Sequence, residues 1–217
     1  MRELSKISIK KSKLEILLSK LKPFSKPQAK AEQHPIDSEN ASLVLWNAFL
    51  LGDIKDKTIA DFGCGTGILG LGALLLGAKQ CYFIDADKEA IKLAEENLKE
   101  VERETKMKLS DKADFINQEI SSFNKKVDVI IQNPPFGTTI KHADVAFLNK
   151  ALSTAKVVYS VHKTSTLEFI KQYAEKSGRV THYFRLKLQL KKTMPWHKQK
   201  IKEIDVTCVR VETKTKS

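Results

Sequence analysis

The chain has 217 residues, of which 41% are hydrophobic and 29% charged, with a net charge of +12 and a pI near 9.5. That length and balance fit one soluble globular domain with room for a sizeable core. No apolar run approaches a membrane span, and the charged N-terminus lacks the apolar stretch of a signal peptide, so no membrane role is expected. The three cysteines, Cys64, Cys81 and Cys208, lack CxxC spacing and read as reduced thiols of a cytoplasmic protein, with Cys64 and Cys81 as buried filler. The five histidines show no metal-ligand spacing, and no metal is expected. The positive charge suits a polyanionic partner, although a lysine-rich proteome of a heat-loving organism would produce it too.

In chain order, Lys11 to Leu21 has helical spacing at Leu14, Leu17, Leu18 and Leu21, and Pro23 and Pro27 end it. This helix reads either as a solvated amphipathic segment or as an RNA-contacting arm. A second helix, Ala41 to Leu51, is predicted with Asp37 or Ser38 as N-cap and Gly52 as its stop. Thr58 to Phe62 is the first strand, Gly63 to Gly67 a glycine turn, and Ile68 to Leu76 an apolar helix ended by Gly77. Gln80 to Ile84 is the second strand, ending at Asp85, and Lys88 to Lys106 an amphipathic helix. Phe115 to Ile120 and Val127 to Gln132 are the third and fourth strands, and Ala143 to Ala155 a helix. Val157 to Val161 is the fifth strand, and Thr164 to Lys176 a helix capped by Gly178. Two strands, Arg179 to Leu190 and Ile204 to Val211, close the chain as a hairpin.

Regular strand–helix alternation argues an α/β fold with a parallel sheet and right-handed crossovers. The closing hairpin brings one antiparallel strand into it. The expectation is a Rossmann-like class I methyltransferase fold: a seven-stranded, mostly parallel sheet with helices on both faces. Residues 1–52 form an N-terminal helical extension packed on a catalytic domain at 53–217.

The turn Asp61-Phe-Gly63-Cys-Gly65-Thr-Gly67 joins a strand to a helix. Its glycines permit positive φ and close backbone approach to a ligand, and the helix N-terminus points there. Asp85, ending the next strand, can accept both hydroxyls of an adenosine ribose. Gly65-x-Gly67-x-x-Gly70 also satisfies the dinucleotide fingerprint, and a purely structural turn is a third reading. Asp61 in front of an extra glycine, the long leader before the first strand, and the end of the fourth strand favour S-adenosylmethionine.

That fourth strand stops at Asn133-Pro134-Pro135-Phe136, because proline cannot donate to a ladder. Asn133 Oδ1 and the Pro134 carbonyl can accept both N–H bonds of an amino group. They would turn its lone pair toward the methyl group and stabilise charge growing on nitrogen. Phe136 can stack on the base, or is a core residue. A base within a helix must first be unpaired or flipped out. Glu119 and Ile120 lie either beside the cofactor's adenine or on a solvated strand end. Asp128 opens the fourth strand and reads as structural; His142, Asp144, His162 and Lys163 fall in segments that border the pocket. Arg185 to Lys202 is rich in Lys and Arg, has no acid, and includes Met194, Pro195, Trp196 and His197. It suits RNA backbone and unstacked bases, or is a lysine-rich hairpin with Trp196 packed on the domain.

Glu32-Gln33-His34-Pro35, DFGCGTGILGLGA, FIDAD, NPPFGTTIKHADVAFLNKAL and VYSVHK together resemble the methyltransferase-like protein five family, here an archaeal member. That family comprises adenine N6-methyltransferases of small-subunit ribosomal RNA, whose eukaryotic members work with a small zinc-ribbon activator. The resemblance implies cofactor contacts at Gln33, Ile36, Gly63, Thr66 and Ile68, a ribose carboxylate at Asp85, an adenine-side pair at Glu119 and Ile120, and a catalytic tetrapeptide at Asn133 to Phe136. The family pattern more often has Gln-Tyr-Pro-Thr at positions 33–36 and Asp at position 119. On this reading the substrate is structured RNA rather than DNA. Rival readings are methylation of guanine N2 or protein glutamine N5, and a non-catalytic RNA-binding assembly factor.

Overall fold

The structure, a computed structural model, describes residues 9–24, 35–136, 143–190 and 202–214. Its helices are α1 (Lys11–Ser19), α2 (Ser38–Leu50), α3 (Ile68–Leu75), α4 (Lys88–Thr105), α5 (Ala143–Thr154) and α6 (Leu167–Glu175). Its strands are β1 (Thr58–Phe62), β2 (Gln80–Asp85), β3 (Ala113–Asn117), β4 (Val127–Gln132), β5 (Ala155–Lys163), β6 (Gly178–Leu190) and β7 (Lys202–Thr213). One seven-stranded sheet has the order β3-β2-β1-β4-β5-β7-β6, parallel except where β7 runs antiparallel between β5 and β6. This is the expected architecture, and β7 is its antiparallel strand.

Alternation along the strands sends successive side chains to opposite faces, and each face carries its own apolar cluster. Ile59, Cys81, Phe83, Val129 and Ile131 meet α1 to α4 on one face. Ala60, Phe62, Ile84, Ile130 and Val158 meet α5, α6 and a short turn at Ile120–Ser122 on the other. Leu14, Leu17 and Leu18 of α1 are buried in the first cluster, so the leader helix shares the core of the sheet. Asp37 caps α2 by accepting the Asn40 N–H at 2.8 Å. Asp128 holds the amino edge of the sheet, accepting from Thr58 N at 3.1 Å and Lys156 Nζ at 3.0 Å.

Three local expectations are corrected. The third strand ends at Asn117 rather than Ile120, because the Asn117 amide donates to the Asp85 and Ala86 carbonyls and turns the chain over the end of β2. The helix before β6 is shorter than its apolar pattern: Thr164–Thr166 forms a 3-10 turn and α6 starts at Leu167. Gly178 does not cap α6 but opens β6, where a Cβ would stand 2.5 Å from the Glu212 carbonyl oxygen.

A buried ion pair locks the loop after α2 to the sheet. Arg210 on β7 donates from Nε to Asp53 Oδ2 at 2.7 Å, and Tyr159 on β5 donates to the same oxygen at 2.6 Å. Thr181, at the bulge in β6, accepts from Arg210 at 2.7 Å. Asp53 and Arg210 are 8% and 6% exposed; removing Asp53 leaves the guanidinium with only the more exposed Glu212 as counter-charge, 2.7 Å away, and takes the acceptor from the buried Tyr159 hydroxyl. Asp53→Ala is expected to destabilise the fold by about 3–5 kcal/mol, read as a lower denaturant midpoint. Breaking the exposed Lys108–Asp111 pair should leave the midpoint unchanged.

Candidate active site

The strand order reverses between β1 and β4, and open α/β sheets form their ligand crevice outside the carboxyl ends of strands at such a point. A cleft of ≈ 230 Å3 opens there, between the ends of β1, β2 and β4. Its walls include Asp61, Gly63, Gly65 and Thr66 from the glycine turn, Ile68 at the start of α3, Asp85 at the end of β2 and Asp87 after it, and Asn133 and Pro135 after β4.

The turn is shaped by backbone conformations that side chains resist. Gly63, Gly65 and Gly67 have φ of 65°, 53° and 79°. Two carboxylates secure it: Asp61 accepts the Gly70 N–H at 2.8 Å and Asp85 accepts the Gly65 N–H at 2.9 Å. Asp85 also accepts the Asp87 N–H at 2.9 Å through its other oxygen. Burial pushes the Asp61 carboxyl up to about 7; the Gly70 N–H opposes that rise and the Asp85 charge adds to it. Asp85 is raised too, mainly by burial, with Asp87 and Glu119 contributing repulsion.

The remaining predicted residues fall into distinct places. Ile36 is 4% exposed and lines the cleft beside Pro35. Gln33 and His34 lie outside the described residues, as do His142 and the Met194–His197 stretch. Gly67 stands behind the cleft, where a Cβ would approach Ala94 Cβ on α4 to 3.0 Å. Glu119 is exposed, close enough to Asp85 to raise its pKa, and Ile120 is buried in the second apolar cluster; neither lines the cleft. Pro134 and Phe136 are buried just behind Asn133 and Pro135, and the Lys163 ammonium lies 5.7 Å from the Phe136 ring centroid.

Three contributors escape sequence reasoning. Phe24, from the leader, lines the cleft, and a Cβ on Gly65 would stand 3.5 Å from its ring. Asn97 on α4, fully buried, places it: its amide donates to the Thr66 carbonyl at 2.9 Å and the Lys22 carbonyl at 3.2 Å, and its oxygen accepts the Lys22 N–H at 2.8 Å. One side chain thus ties the glycine turn to the leader segment that ends at Phe24. The amphipathic pattern of α4 hints at Asn97 only as a polar residue on a buried face; its partners are 31 and 75 positions away. Phe147 on α5 closes the far wall, 3.1 Å from where a Gly63 Cβ would sit.

The lining chemistry discriminates between ligands. Three aspartates and no lysine or arginine line the cleft among the described residues. A dinucleotide's pyrophosphate would meet repulsion there, whereas a sulfonium cation is attracted. Phe24, Ile36, Ile68 and Leu69 supply apolar walls for a flat base, and Asp85 keeps lone pairs for ribose hydroxyls. The residues present fit S-adenosylmethionine.

Known proteins agree. A family model for ribosomal protein L11 methyltransferase matches residues 43–134. The Danio rerio rRNA N(6)-adenosine-methyltransferase METTL5 is 34% identical over 214 residues, spanning 93% of this chain and 98% of its own. An uncharacterised Methanocaldococcus jannaschii protein is 37% identical over 94% of both chains. A Pyrococcus horikoshii crystal structure, provisionally named an RNA methyltransferase, superposes with a TM-score of 0.84 at 40% identity, covering 94% of this chain and 98% of its own.

Asp85→Ala should weaken S-adenosylmethionine binding about 10- to 100-fold in calorimetry, since a hydrogen bond to a charged group contributes roughly 1.5–3 kcal/mol. Asn97→Ala, which touches no ligand, should also lower that affinity by releasing Phe24. Because Asp61 titrates at about 7 and a cation favours its ionised form, cofactor binding should release a proton and tighten as pH rises through neutrality. Calorimetry in buffers of different ionisation enthalpy reads this directly, and Asp61→Asn should remove its share of the proton release.

Proposed function

This chain belongs to the METTL5 family of methyltransferases, and we propose that it transfers a methyl group from S-adenosylmethionine to N6 of an adenosine in small-subunit ribosomal RNA. The observation that carries the reading is the convergence of Asn133 and Pro135 with Asp61, Gly65 and Asp85 on one cleft. When bound, S-adenosylmethionine supplies a methyl group activated by its sulfonium. The protein's part is orientation. Asn133 Oδ1 and the Pro134 carbonyl accept the two N–H bonds of the adenine amino group, and Pro135 stiffens the corner that presents them. Phe136, whose ring is buried in the free protein, stacks on the base once substrate entry exposes it. No strong base is required, because acceptors stabilise the positive charge that grows on nitrogen.

RNA as substrate is supported by the METTL5 relatives and by charge placement. β6 ends at Leu190 and β7 begins at Lys202 on the same sheet edge as the cleft, so the basic segment 191–201 is attached at the reacting edge. The reading includes a cytoplasmic setting and a small zinc-ribbon activator covering apolar surface beside a sheet edge, as the family resemblance implies. The L11 methyltransferase match, which covers residues 43–134 and so ends within the tetrapeptide, keeps a ribosomal protein as the competing acceptor.

Asn133→Ala should reduce methyl transfer to unmethylated small-subunit rRNA by about 10²–10³-fold, the scale of losing one preorganised charge-stabilising contact. Its S-adenosylmethionine affinity should match wild type. Nucleoside mass spectrometry of the product identifies N6-methyladenosine. Full activity of the variant refutes the role of Asn133, and methylated protein beside unmethylated RNA refutes the substrate.

A further inference from the structure

The reacting segment leaves the sheet at Gln132 and returns to described structure at Ala143. Both of its stems are tied to β5. At the first, Gln132 Nε2 donates to Ser160 Oγ at 2.9 Å. At the second, Asp144 Oδ2 lies 3.7 Å from His162 Nδ1. Ser160 and His162 are two residues apart on one strand, so they project from the same face, and Ser160 Oγ meets His162 Nε2 at 2.7 Å. A hydrogen-bonded row, Gln132–Ser160–His162, therefore runs from one end of the segment that carries Asn133 toward the other, where the Asp144 carboxylate faces the buried His162 Nδ1 at 3.7 Å, an electrostatic contact longer than a hydrogen bond.

The row has a direction. With Gln132 donating, the Ser160 hydroxyl keeps its own proton to give to His162 Nε2. The neutral imidazole then carries its proton on Nδ1, which faces the Asp144 carboxylate. Burial holds His162 toward the neutral form, and the imidazole beside Asp144 lowers that carboxyl. Gln132, Ser160 and His162 are all at 0% exposure beside the second apolar cluster, with the buried Thr207 opposite His162 on β7. An apolar trio would fill that space without the desolvation penalty. None of the four side chains lines the cleft.

We infer that Ser160, His162 and Asp144 are positioning residues, which fix both stems of the reacting segment and so set where Asn133 stands relative to the methyl donor. The inference rests on the reading of Asn133 as the acceptor for the target amino group. Partners behind a reacting residue commonly govern its orientation, and a displacement of 1 Å costs on the order of 10²-fold in rate.

The test uses the full chain, with wild type and Asn133→Ala as activity references. Asp144→Ala alters a residue on the first turn of α5 and His162→Ala the buried ring; if the second does not fold, the first decides. Each should lower kcat on small-subunit rRNA by about 10- to 100-fold while the S-adenosylmethionine Kd and the melting temperature stay near wild type. Asp144→Asn, which keeps an oxygen facing Nδ1, should recover most of the rate. His162→Gln keeps a polar group at the Nε2 position, and its rate should not fall further on adding Asp144→Ala. Unchanged kcat in Asp144→Ala overturns the inference, as does a cofactor affinity that falls in parallel with kcat. Hydrogen exchange at 132–136 and 143–147 gives a readout without substrate. Exchange should quicken at both stems in Asp144→Ala, and unchanged exchange overturns the inference. A wild type inactive on RNA refutes the function instead and leaves hydrogen exchange to decide.

Discussion

Two carboxylates hold the glycine turn from opposite ends. Asp61 accepts the Gly70 N–H from inside α3, and Asp85 reaches across from β2 to the Gly65 N–H. Both are drawn out of water, and both have raised pKa values with burial as the main cause. Between about pH 4 and about pH 7 the native state binds more protons at Asp61 than the unfolded chain does. Stability therefore falls as pH rises through that window. The free protein tolerates this cost at the place where a cation is to bind. The cleft's negative charge, its glycine backbone and its lack of lining cations among the described residues are one design.

The sheet divides the labour. One face carries α1 to α4, which build and brace the cofactor side; Asn97 on α4 and Phe24 of the leader complete it. The other face carries α5 and α6 and the Ser160–His162 pair. β4 lies between the two functions. Its last residue, Gln132, is fixed behind the sheet while the next, Asn133, faces the cleft. The Asn133 amide is thus presented by a strand with parallel neighbours on both sides, at a corner that two prolines stiffen.

Local chemistry was legible where one residue type dictates a conformation. The glycines of the turn, the prolines after Gln132, the Asp37 cap and the leucine spacing of α1 all act within a few positions of themselves. The end of β3 was missed because Asn117 finds its acceptors on β2, and Gly178 because its constraint is the Glu212 carbonyl of a strand far along the chain. Asn97, Phe24 and the Asp53–Arg210 pair share that cause: each gains its meaning from partners that folding brings together. Sequence placed His162 and Asp144 in segments bordering the pocket, and the structure sets them facing each other at 3.7 Å without either lining the cleft. Gln33 falls outside the described residues, and Glu119 stands near Asp85 without entering the cleft.

On the proposed reading, the cleft and the tetrapeptide serve the delivery of one RNA amino group to one methyl donor. Nucleoside mass spectrometry of ribosomal RNA from cells with and without the gene tests that most directly. Loss of a single N6-methyladenosine from small-subunit rRNA, restored by the wild-type chain and not by Asn133→Ala, is the predicted result. An unchanged N6-methyladenosine content in the cells lacking the gene would contradict it.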